Sequence, residues 1–432
     1  MTAEGNLEVM NVPDKPVLIS GMFDMCNFGD LLFPLVAAYR LGLHGLRVIP
    51  LSPTGATVGL ADALPSMAIE AVLVERQPAR GILLGGGYII HNHPMHFLDQ
   101  YESAALADWI GAGMWLGATM AAALQDIPVA WNAPGVPHPF ARGQRPIIDA
   151  ALRAADYVSL RDEGSRDLLA PPDDVALSIV PDPIADLARM WPASRLEAPF
   201  RDFLARKGAS RGQRFAAVHV RNRSLAGIGS GGMAAALDSF ARQQGVCPIL
   251  IAVGQSHEDD VTARDISRQM QVRHLVLDDP VSLVEIAAVI GNSAVYAGAS
   301  LHGYVAAAAY GVPAVLVALP AYRKFAGFLD HTGRRADLAH DWKSAIGLAV
   351  ERLAGDPGLG IPSAVSAALD RHWDSVVNAL SDPSRRRRER ADFMRTCLRI
   401  GVARNGPRWL HQPMMRRDHS RDGAVPIAAG RR

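Results

Sequence analysis

Short apolar segments alternate with amphipathic segments along most of the chain. Segments 16–22, 47–53, 81–89 and 127–135 contain apolar runs of strand length, and 29–43 has the spacing of a helix. Strands that alternate with helices predict a parallel sheet that is covered on both faces. The first half of the chain is therefore predicted to have an α/β fold.

The alternation is interrupted once and then starts again. Residues 171–212 contain prolines and charged residues without a clear period, which is typical of a connection between domains. The second half again contains apolar strand segments, at 214–222, 247–260, 273–279, 293–300 and 312–319. Two halves of this kind predict two Rossmann-like domains that face a cleft.

The pattern divides the chain into four regions. Residues 1–200 are predicted to form an N-terminal Rossmann-like domain and residues 201–380 a C-terminal one. Residues 381–403 are arginine-rich and are predicted to form a basic terminal helix. Residues 404–432 show no periodic pattern and are predicted to be a disordered tail.

The composition limits the classes of protein to which the chain can belong. Its 432 residues exceed what a single core usually serves, which supports two domains. A formal net charge of +1 does not favour nucleic acid as a partner. Three cysteines without disulfide or zinc spacing, and no apolar run of the roughly 18–20 residues that span a membrane, predict a cytoplasmic protein.

The basic stretch within 381–403 has two interpretations that bear on location. A solvated helix face is favoured over contact with nucleic acid, because runs of like charge are usually solvated. An anionic lipid surface stays as the alternative, which would place the protein peripherally at the inner face of the membrane.

Polar residues and glycines collect at the carboxyl ends of the predicted strands, where ligands bind in open α/β sheets. These positions are Asn27, Asp30, Gly85, Gly86, Gly87, Asn132, Arg161, Asp162, Asp182, Arg221, Arg223, Gly254, His257, Ser300, His302 and Gly303. Several of them also have structural interpretations. The three glycines suit a plain tight turn, Asp30 suits a helix cap, and Arg161 suits a local ion pair with Asp162.

Three residues of the second half are the strongest candidates for binding and chemistry. Arg221 and Arg223 alternate on an extended segment, so both guanidinium groups would face the cleft as an anion site, with a surface pair as the alternative. His302 opens the alanine-rich helix predicted at 303–311. This position suits a catalytic imidazole beside an anionic ligand, and a buried structural histidine is the alternative.

A group of closely spaced histidines follows the three glycines. His91, His93 and His96 lack carboxylates or cysteines at convincing ligand spacing. We therefore predict no metal ion and no cofactor.

Five sequence segments occur in the order that is typical of one family: NFGD, LLGGGYI, YVSLRDEGS, VPDP and SLHGYVAAAAYGVPAVLV. The series resembles the polysaccharide pyruvyl transferase family from about residue 17 to about residue 330. The resemblance implies a GT-B-like arrangement of the two Rossmann-like domains. It also implies transfer of the enolpyruvyl group of phosphoenolpyruvate to a sugar as a pyruvate ketal, with release of phosphate.

The resemblance assigns roles to individual residues. His302 matches the motif histidine, which would serve as the acid or would deprotonate a sugar hydroxyl. Arg221 matches an arginine that binds phosphoenolpyruvate. The family motif commonly reads Arg-Leu-His-Gly, whereas this chain has Ser300 at the arginine position, so another cation is needed there or the donor differs. The candidates for that cation are Arg223, Arg323 and Lys324.

The leading prediction is a ketal pyruvyl transferase of exopolysaccharide biosynthesis. Its donor is phosphoenolpyruvate on the C-terminal domain, and its acceptor is a sugar or lipid-linked oligosaccharide on the N-terminal domain. The expected binding residues are Asn27, Asp30, Gly86, Gly87, Arg161, Arg221, Arg223, Ser300, Gly303 and Lys324. Two alternatives stay open: a GT-B glycosyltransferase that uses a nucleotide-sugar, and a catalytically silent relative that binds sugar.

Overall fold

Strands and helices alternate along the computed structural model, which describes residues 15–96, 98–104, 106–210, 212–254, 258–321, 323–355 and 360–411. The strands are β1 (Val17–Ser20), β2 (Val48–Ser52), β3 (Met67–Ala68), β4 (Gly81–Leu84), β5 (Val129–Trp131), β6 (Val158–Leu160), β7 (Leu177–Ile179), β8 (Arg214–His219), β9 (Val246–Ile251), β10 (Leu275–Leu277), β11 (Val295–Gly298), β12 (Ala314–Val317) and β13 (Leu338–Ala339). The α-helices are α1 (Phe28–Gly42), α2 (Ile69–Glu75), α3 (Asp99–Ser103), α4 (Ile110–Ala112), α5 (Ala118–Gln125), α6 (Arg145–Ala154), α7 (Glu163–Leu169), α8 (Leu187–Met190), α9 (Ala193–Arg206), α10 (Gly229–Gln244), α11 (Asp259–Ser267), α12 (Leu283–Gly291), α13 (Leu301–Ala309), α14 (Arg323–Thr332), α15 (Trp342–Ala354), α16 (Ser363–Ser381), α17 (Arg387–Asn405) and α18 (Arg408–His411).

The first sheet has the strand order β3-β2-β1-β4-β5, and all of its neighbouring strands are parallel. Every residue of β1, in the middle of the sheet, is buried. A parallel bridge between Ala130 and Tyr157 places the two-stranded sheet of β6 and β7 beside β5. Because parallel strands are buried on both faces, they are continuous apolar runs, which is the pattern that predicts them from the sequence.

The second sheet has the order β10-β9-β8-β11-β12-β13 and is also parallel throughout. Both orders follow the doubly wound pattern, in which the chain moves outward in one direction and then returns to the other side of the first strand. The alanines Ala306, Ala307 and Ala308 of α13 are fully buried. The predicted α/β fold with two Rossmann-like domains is confirmed.

Backbone contacts join the two halves near the carboxyl ends of their strands. The Phe28 amide donates to the carbonyl of Val253 at 2.7 Å. The carboxylate of Asp62 accepts from the amides of Leu283 and Val284 at 2.6 and 2.9 Å, at the beginning of α12. These contacts bring the loop after β1 against the loop after β9, so the ligand-binding ends of the two sheets face each other.

Two helices do not follow the sequence division of the chain into halves. α9 spans the predicted boundary at residue 200 and packs against α12 of the second half. α16 lies within the predicted C-terminal domain but packs against β5 of the first sheet. There its buried His372 contacts Asn132 Oδ1 at 2.9 Å and the Tyr157 hydroxyl at 3.1 Å. Periodicity identifies such helices, but the sheet that they cover depends on tertiary packing.

The C-terminal region is more ordered than the sequence predicts. α17 covers most of the predicted basic helix and packs against α5 and α6. Helical structure continues to His411, so the prediction of disorder does not apply to 404–411, and 412–432 lie outside the described residues. Trp409 stabilises this end because its ring lies over Gly401 of α17. None of the helices described here is long and apolar enough to cross a membrane.

Candidate active site

A cavity of about 590 Å³ lies between the two sheets. Much of its wall comes from the loops that follow β1 and β4 in the first sheet and β8 and β11 in the second. In each sheet these two strands are neighbours from which the chain departs in opposite directions. The cavity therefore lies at both topological switch points, where doubly wound sheets bind their ligands, and its volume suits a small-molecule site.

The cavity brings together most of the residues that the sequence analysis selected. The selected residues that line it are Asn27, Asp30, Gly87, Arg161, Arg221, Arg223, Ser300, His302 and Lys324. Gly86 and Gly303 do not line it. A Cβ on Gly86 would lie 2.0 Å from the Phe33 ring, and one on Gly303 would lie 2.2 Å from the Tyr296 hydroxyl. These two glycines permit close packing behind the cavity wall rather than contact with a ligand.

Arg161 is a buried cation with two nitrogen atoms that have no hydrogen-bond partner among the described residues. Arg161 is only 4% exposed, and its guanidinium carbon lies 4.1 Å from the centroid of the Tyr88 ring, on which it stacks. Its Nε lies 3.5 Å from Asp162 Oδ2, and neither Nε nor Nη2 has a hydrogen-bond partner among the described residues. Buried donors without partners are costly, so an anionic ligand that accepted from them would be strongly favoured.

Further cations surround the same space. Arg221 leaves its Nε without a partner in the described structure. Lys324 is the second residue of α14, and its Nζ lies 5.4 Å from the centroid of the Tyr88 ring. Burial, together with the charges of Arg161 and Arg221, lowers the pKa of Lys324 to about 7. This local excess of positive charge indicates an anion site.

Asp30 is the only carboxylate among the described residues that line the cavity. It lies in the first turn of α1, and its Oδ1 lies close to Gly87, where an added Cβ would be 3.1 Å away. Burial raises the pKa of Asp30, although the nearby charges of His302, Lys324 and Arg221 oppose this increase. Asn27 caps the same helix, because its Oδ1 accepts from the Gly29 amide at 3.1 Å.

His302 is held at the beginning of α13. Ser300 caps this helix, with its Oγ accepting from the Gly303 amide at 3.3 Å. The imidazole lies against Gly29, where a Cβ would be 1.6 Å from Nδ1, and it meets the Phe33 ring edge-on with centroids 5.5 Å apart. Gly29 is therefore needed to accommodate the imidazole.

Asp182 faces the other nitrogen of the same imidazole. Its Oδ2 lies 3.5 Å from His302 Nε2, and both atoms are buried. Burial raises the pKa of Asp182, but the interaction with His302 and the charge of Arg161 outweigh it, so the pKa is below its ordinary value. Neither Asp182 nor Gly29 is among the binding residues that the sequence predicts. The VPDP segment contains Asp182 and the NFGD segment contains Gly29, but neither segment indicates that its residue contacts His302.

Three histidines line another part of the cavity. His93 and His138 are in ring contact at 4.4 Å, and His91 lies beside His93. Burial and the neighbouring histidines lower the pKa of His91 to about 4. His96 instead contacts Glu102 and Asp108. No cluster of His, Cys, Asp or Glu side chains within the described ranges is arranged to hold a metal ion.

The fold and the position of the cavity between two Rossmann-like domains are those of GT-B-like proteins. Solved structures with the same fold include the UDP-GlcNAc 2-epimerase of Methanocaldococcus jannaschii, at 11% identity and a TM-score of 0.53, with 85% of this chain and 99% of that chain covered. A Listeria monocytogenes protein assigned as a UDP-N-acetylglucosamine 2-epimerase matches at 12% identity and a TM-score of 0.53, covering 86% of this chain and 98% of that chain. The predicted GT-B-like architecture is confirmed.

The family follows from the sequence comparison. The family described as polysaccharide pyruvyl transferase matches residues 27–319, which is well over half of the chain. The chain therefore belongs to the polysaccharide pyruvyl transferase family, which is a family of transferases. A comparison with curated proteins finds no match.

Proposed function

We propose that the protein transfers pyruvate from phosphoenolpyruvate to two hydroxyl groups of a sugar, as a ketal, in exopolysaccharide biosynthesis. The observation that carries this proposal is one cavity lined by His302, Arg161 and Arg221, in which both arginines have donors without partners among the described residues. Membership of the pyruvyl transferase family supports the reaction. The residues present suit a donor that is itself a small polyanion.

The donor has two anionic groups, and the cavity offers cations for both. A carboxylate and a phosphate each accept charge-assisted hydrogen bonds, which are the strong ones. Arg161, Arg221, Arg223 and Lys324 all line the cavity, so the serine at position 300 does not leave the site without positive charge. Ser300 itself caps α13.

The reaction balances without an external co-reactant. A proton adds to the methylene carbon of phosphoenolpyruvate and leaves a cationic centre at C2. One sugar hydroxyl adds to C2, and the proton that it loses replaces the proton delivered to the methylene carbon. The second hydroxyl then replaces phosphate as the C2–O bond to phosphate breaks, and phosphate departs with the second proton. His302 is the group in the cavity that we assign to proton transfer, and the arginines stabilise the departing phosphate.

The acceptor side is proposed to use a group of histidines. His91, His93 and His138 belong to the first half of the chain and line the cavity together. The pKa values of His91 and His138 are both lowered, mainly by burial, so these rings are neutral near pH 7. Neutral imidazoles can donate to or accept from sugar hydroxyls, which supports a sugar or lipid-linked oligosaccharide as the acceptor.

The first test is a thermal-shift titration of the full chain with phosphoenolpyruvate, with UDP and GDP as comparators. A ligand that binds only the native state raises the melting temperature by mass action. We expect phosphoenolpyruvate alone to raise it. Stabilisation by a nucleotide alone would favour the GT-B glycosyltransferase alternative. Stabilisation by phosphoenolpyruvate without phosphate release over a panel of sugars would favour a silent relative.

We also propose that the protein is cytoplasmic and that it contacts the inner face of the membrane through α17. Part of its arginine run pairs within the protein, since buried Arg390 and exposed Arg387 both pair with Asp126. Other arginines of α17 remain exposed, and so does Leu398 of the same helix. Trp409 of the following helix, α18, is also a partly exposed large hydrophobic residue. Arginines combined with exposed apolar side chains suit an anionic lipid surface.

Sedimentation with lipid vesicles tests this contact. Vesicles of phosphatidylcholine with phosphatidylglycerol should bind the full chain, and pure phosphatidylcholine should not. Charge reversal of Arg388, Arg395 and Arg399 together should abolish binding. The matched control reverses three other exposed arginines, namely Arg201, Arg242 and Arg268. Equal loss in both triple variants would indicate a general charge effect and would contradict a specific surface.

A further inference from the structure

The environment of His302 treats its two ring nitrogens differently. Nε2 faces Asp182 and is buried without another partner among the described residues, whereas Nδ1 lies against Gly29. We propose that Asp182 is a positioning residue that keeps the His302 proton on Nε2, so that Nδ1 exchanges a proton with the substrate. This inference rests on the proposed function for its catalytic consequence, but the position of the proton can be measured without turnover.

The carboxylate of Asp182 is itself held firmly. Its Oδ1 accepts from the Ile184 amide at 3.0 Å, which caps the 3₁₀ turn Pro183–Asp186. Pro183 stiffens the backbone immediately after Asp182. With Oδ1 engaged, Oδ2 is the atom left to face the imidazole, and Asp182 is only 2% exposed. The carboxylate therefore has little freedom to turn away from His302.

The charge state of Asp182 determines the tautomer. An ionised carboxylate can only accept a hydrogen bond. The nitrogen that faces it must then carry the proton, and in a neutral imidazole the other nitrogen must be the unprotonated one. The contact is 3.5 Å long, and contacts of this kind often tighten only when substrate binds.

The same arrangement defines the role of His302 during proton transfer. When Nδ1 takes a proton from a sugar hydroxyl, the ring becomes a cation, and the carboxylate of Asp182 stabilises that charge. The proton on Nε2 does not move in this step. Release of the proton from Nδ1, to the departing phosphate or to solvent, restores the neutral ring.

The test is nitrogen NMR of the full chain labelled with ¹⁵N-histidine, at a pH at which the imidazoles are neutral. The protein has 14 histidines, so the His302→Asn variant identifies the signals of His302 by their loss. We expect Nε2 of the native protein to be protonated and Nδ1 to be unprotonated. A native protein with the proton on Nδ1 would overturn the proposal.

The Asp182→Asn variant reverses the arrangement with almost no change in shape. Its amide oxygen can still accept from Ile184, which turns the amide nitrogen, a donor, toward His302 Nε2. The proton should then move to Nδ1. We expect kcat to fall by about 100-fold or more, while KM for phosphoenolpyruvate stays within about threefold.

A second aspartate separates loss of a cap from loss of the contact with histidine. Asp341 caps α15, with Oδ1 accepting from the Ser344 amide at 2.7 Å. Asp341→Asn should leave the His302 signals and kcat unchanged. Full kcat in Asp182→Asn would overturn the positioning role. If that variant does not fold, the nitrogen that carries the His302 proton in the native protein still tests the proposal. Absence of pyruvyl transfer in the native protein would contradict the proposed function while leaving the NMR result intact.

Discussion

Two buried arginines offer a direct test of which one serves a ligand. Arg161 and Arg390 are 4% and 1% exposed, so both guanidinium groups lie away from water. Arg390 donates to Asp126 and Asp156 and to the carbonyl of Pro383. Arg161, by contrast, leaves two nitrogen atoms without hydrogen-bond partners in the part of the chain that the structure describes. We predict that Arg161→Met and Arg390→Met have opposite patterns of effect on stability and binding.

The expected magnitudes follow from what each guanidinium contacts. Arg390→Met leaves Asp156, whose side chain is fully buried, without the guanidinium that donates to it, and breaking a buried pair costs about 3–5 kcal/mol. Arg161→Met loses its stacking on Tyr88, worth about 0.5–2 kcal/mol, and its attraction to Asp162. Removal of its unpartnered donors offsets part of this loss. We expect Arg161→Met to lower the free energy of unfolding by no more than about 1–2 kcal/mol.

The effect on binding should run the other way. If the Arg161 donors hold phosphoenolpyruvate, their loss costs about 2–5 kcal/mol, which weakens Kd by roughly 30-fold or more. Arg390 is part of the packing of α17 and does not line the cavity. Arg390→Met should therefore leave Kd within about threefold.

Urea unfolding and isothermal calorimetry with phosphoenolpyruvate measure the two quantities. Calorimetry is performed at a temperature at which both variants are folded, as judged by circular dichroism. Comparable destabilisation by the two substitutions, together with an unchanged Kd for Arg161→Met, would refute the assignment of Arg161 to ligand binding. It would mean that the cation serves Tyr88 and Asp162 instead.

Three further predictions concern the same cavity. His302→Asn should lower kcat by about 10²–10⁴-fold with Kd for phosphoenolpyruvate within about threefold, and a variant with native turnover would exclude His302 from proton transfer. Gly29→Ala should lower kcat in steady-state assays because its Cβ would occupy the position of His302 Nδ1, and native kcat would show that the ring can shift harmlessly. Lys324 has a pKa lowered to about 7, and its charged form binds the anion, so calorimetry should show Kd weakening by up to about tenfold per unit as the pH rises from 7 to 9. Lys324→Met should remove this pH dependence, and a dependence that persists would assign it to another group.

The strand and helix order could be predicted from the sequence because it depends on short-range patterns. β1, β4, β8 and β11 are apolar runs buried on both faces, and parallel sheets require this pattern. His302 and Arg221 could be selected because ligands bind beyond the carboxyl ends of such strands. The membership of α16 in the first half of the molecule could not be predicted, since an amphipathic helix does not specify which sheet it covers.

The site shows the same limit at the level of single residues. Gly86 and Gly303 lie in suggestive motifs, but their missing side chains make room for Phe33 and Tyr296 rather than for a ligand. Asp182 was recognised as a strand-end residue, yet only the structure brings it within 3.5 Å of His302. A spacing of more than a hundred residues in the sequence contains no information about that distance.

Burial periodicity and motif order are local properties of the chain, so they were enough to predict the class of fold, the cleft and the family. Which charges lack partners among the described residues, and which nitrogen of His302 faces a carboxylate, are known only from the assembled fold. The physical reason is that the energy of a buried polar group depends on every group that surrounds it. For Arg161 and His302, those groups come from segments that are far apart in the chain and meet only when both sheets are assembled.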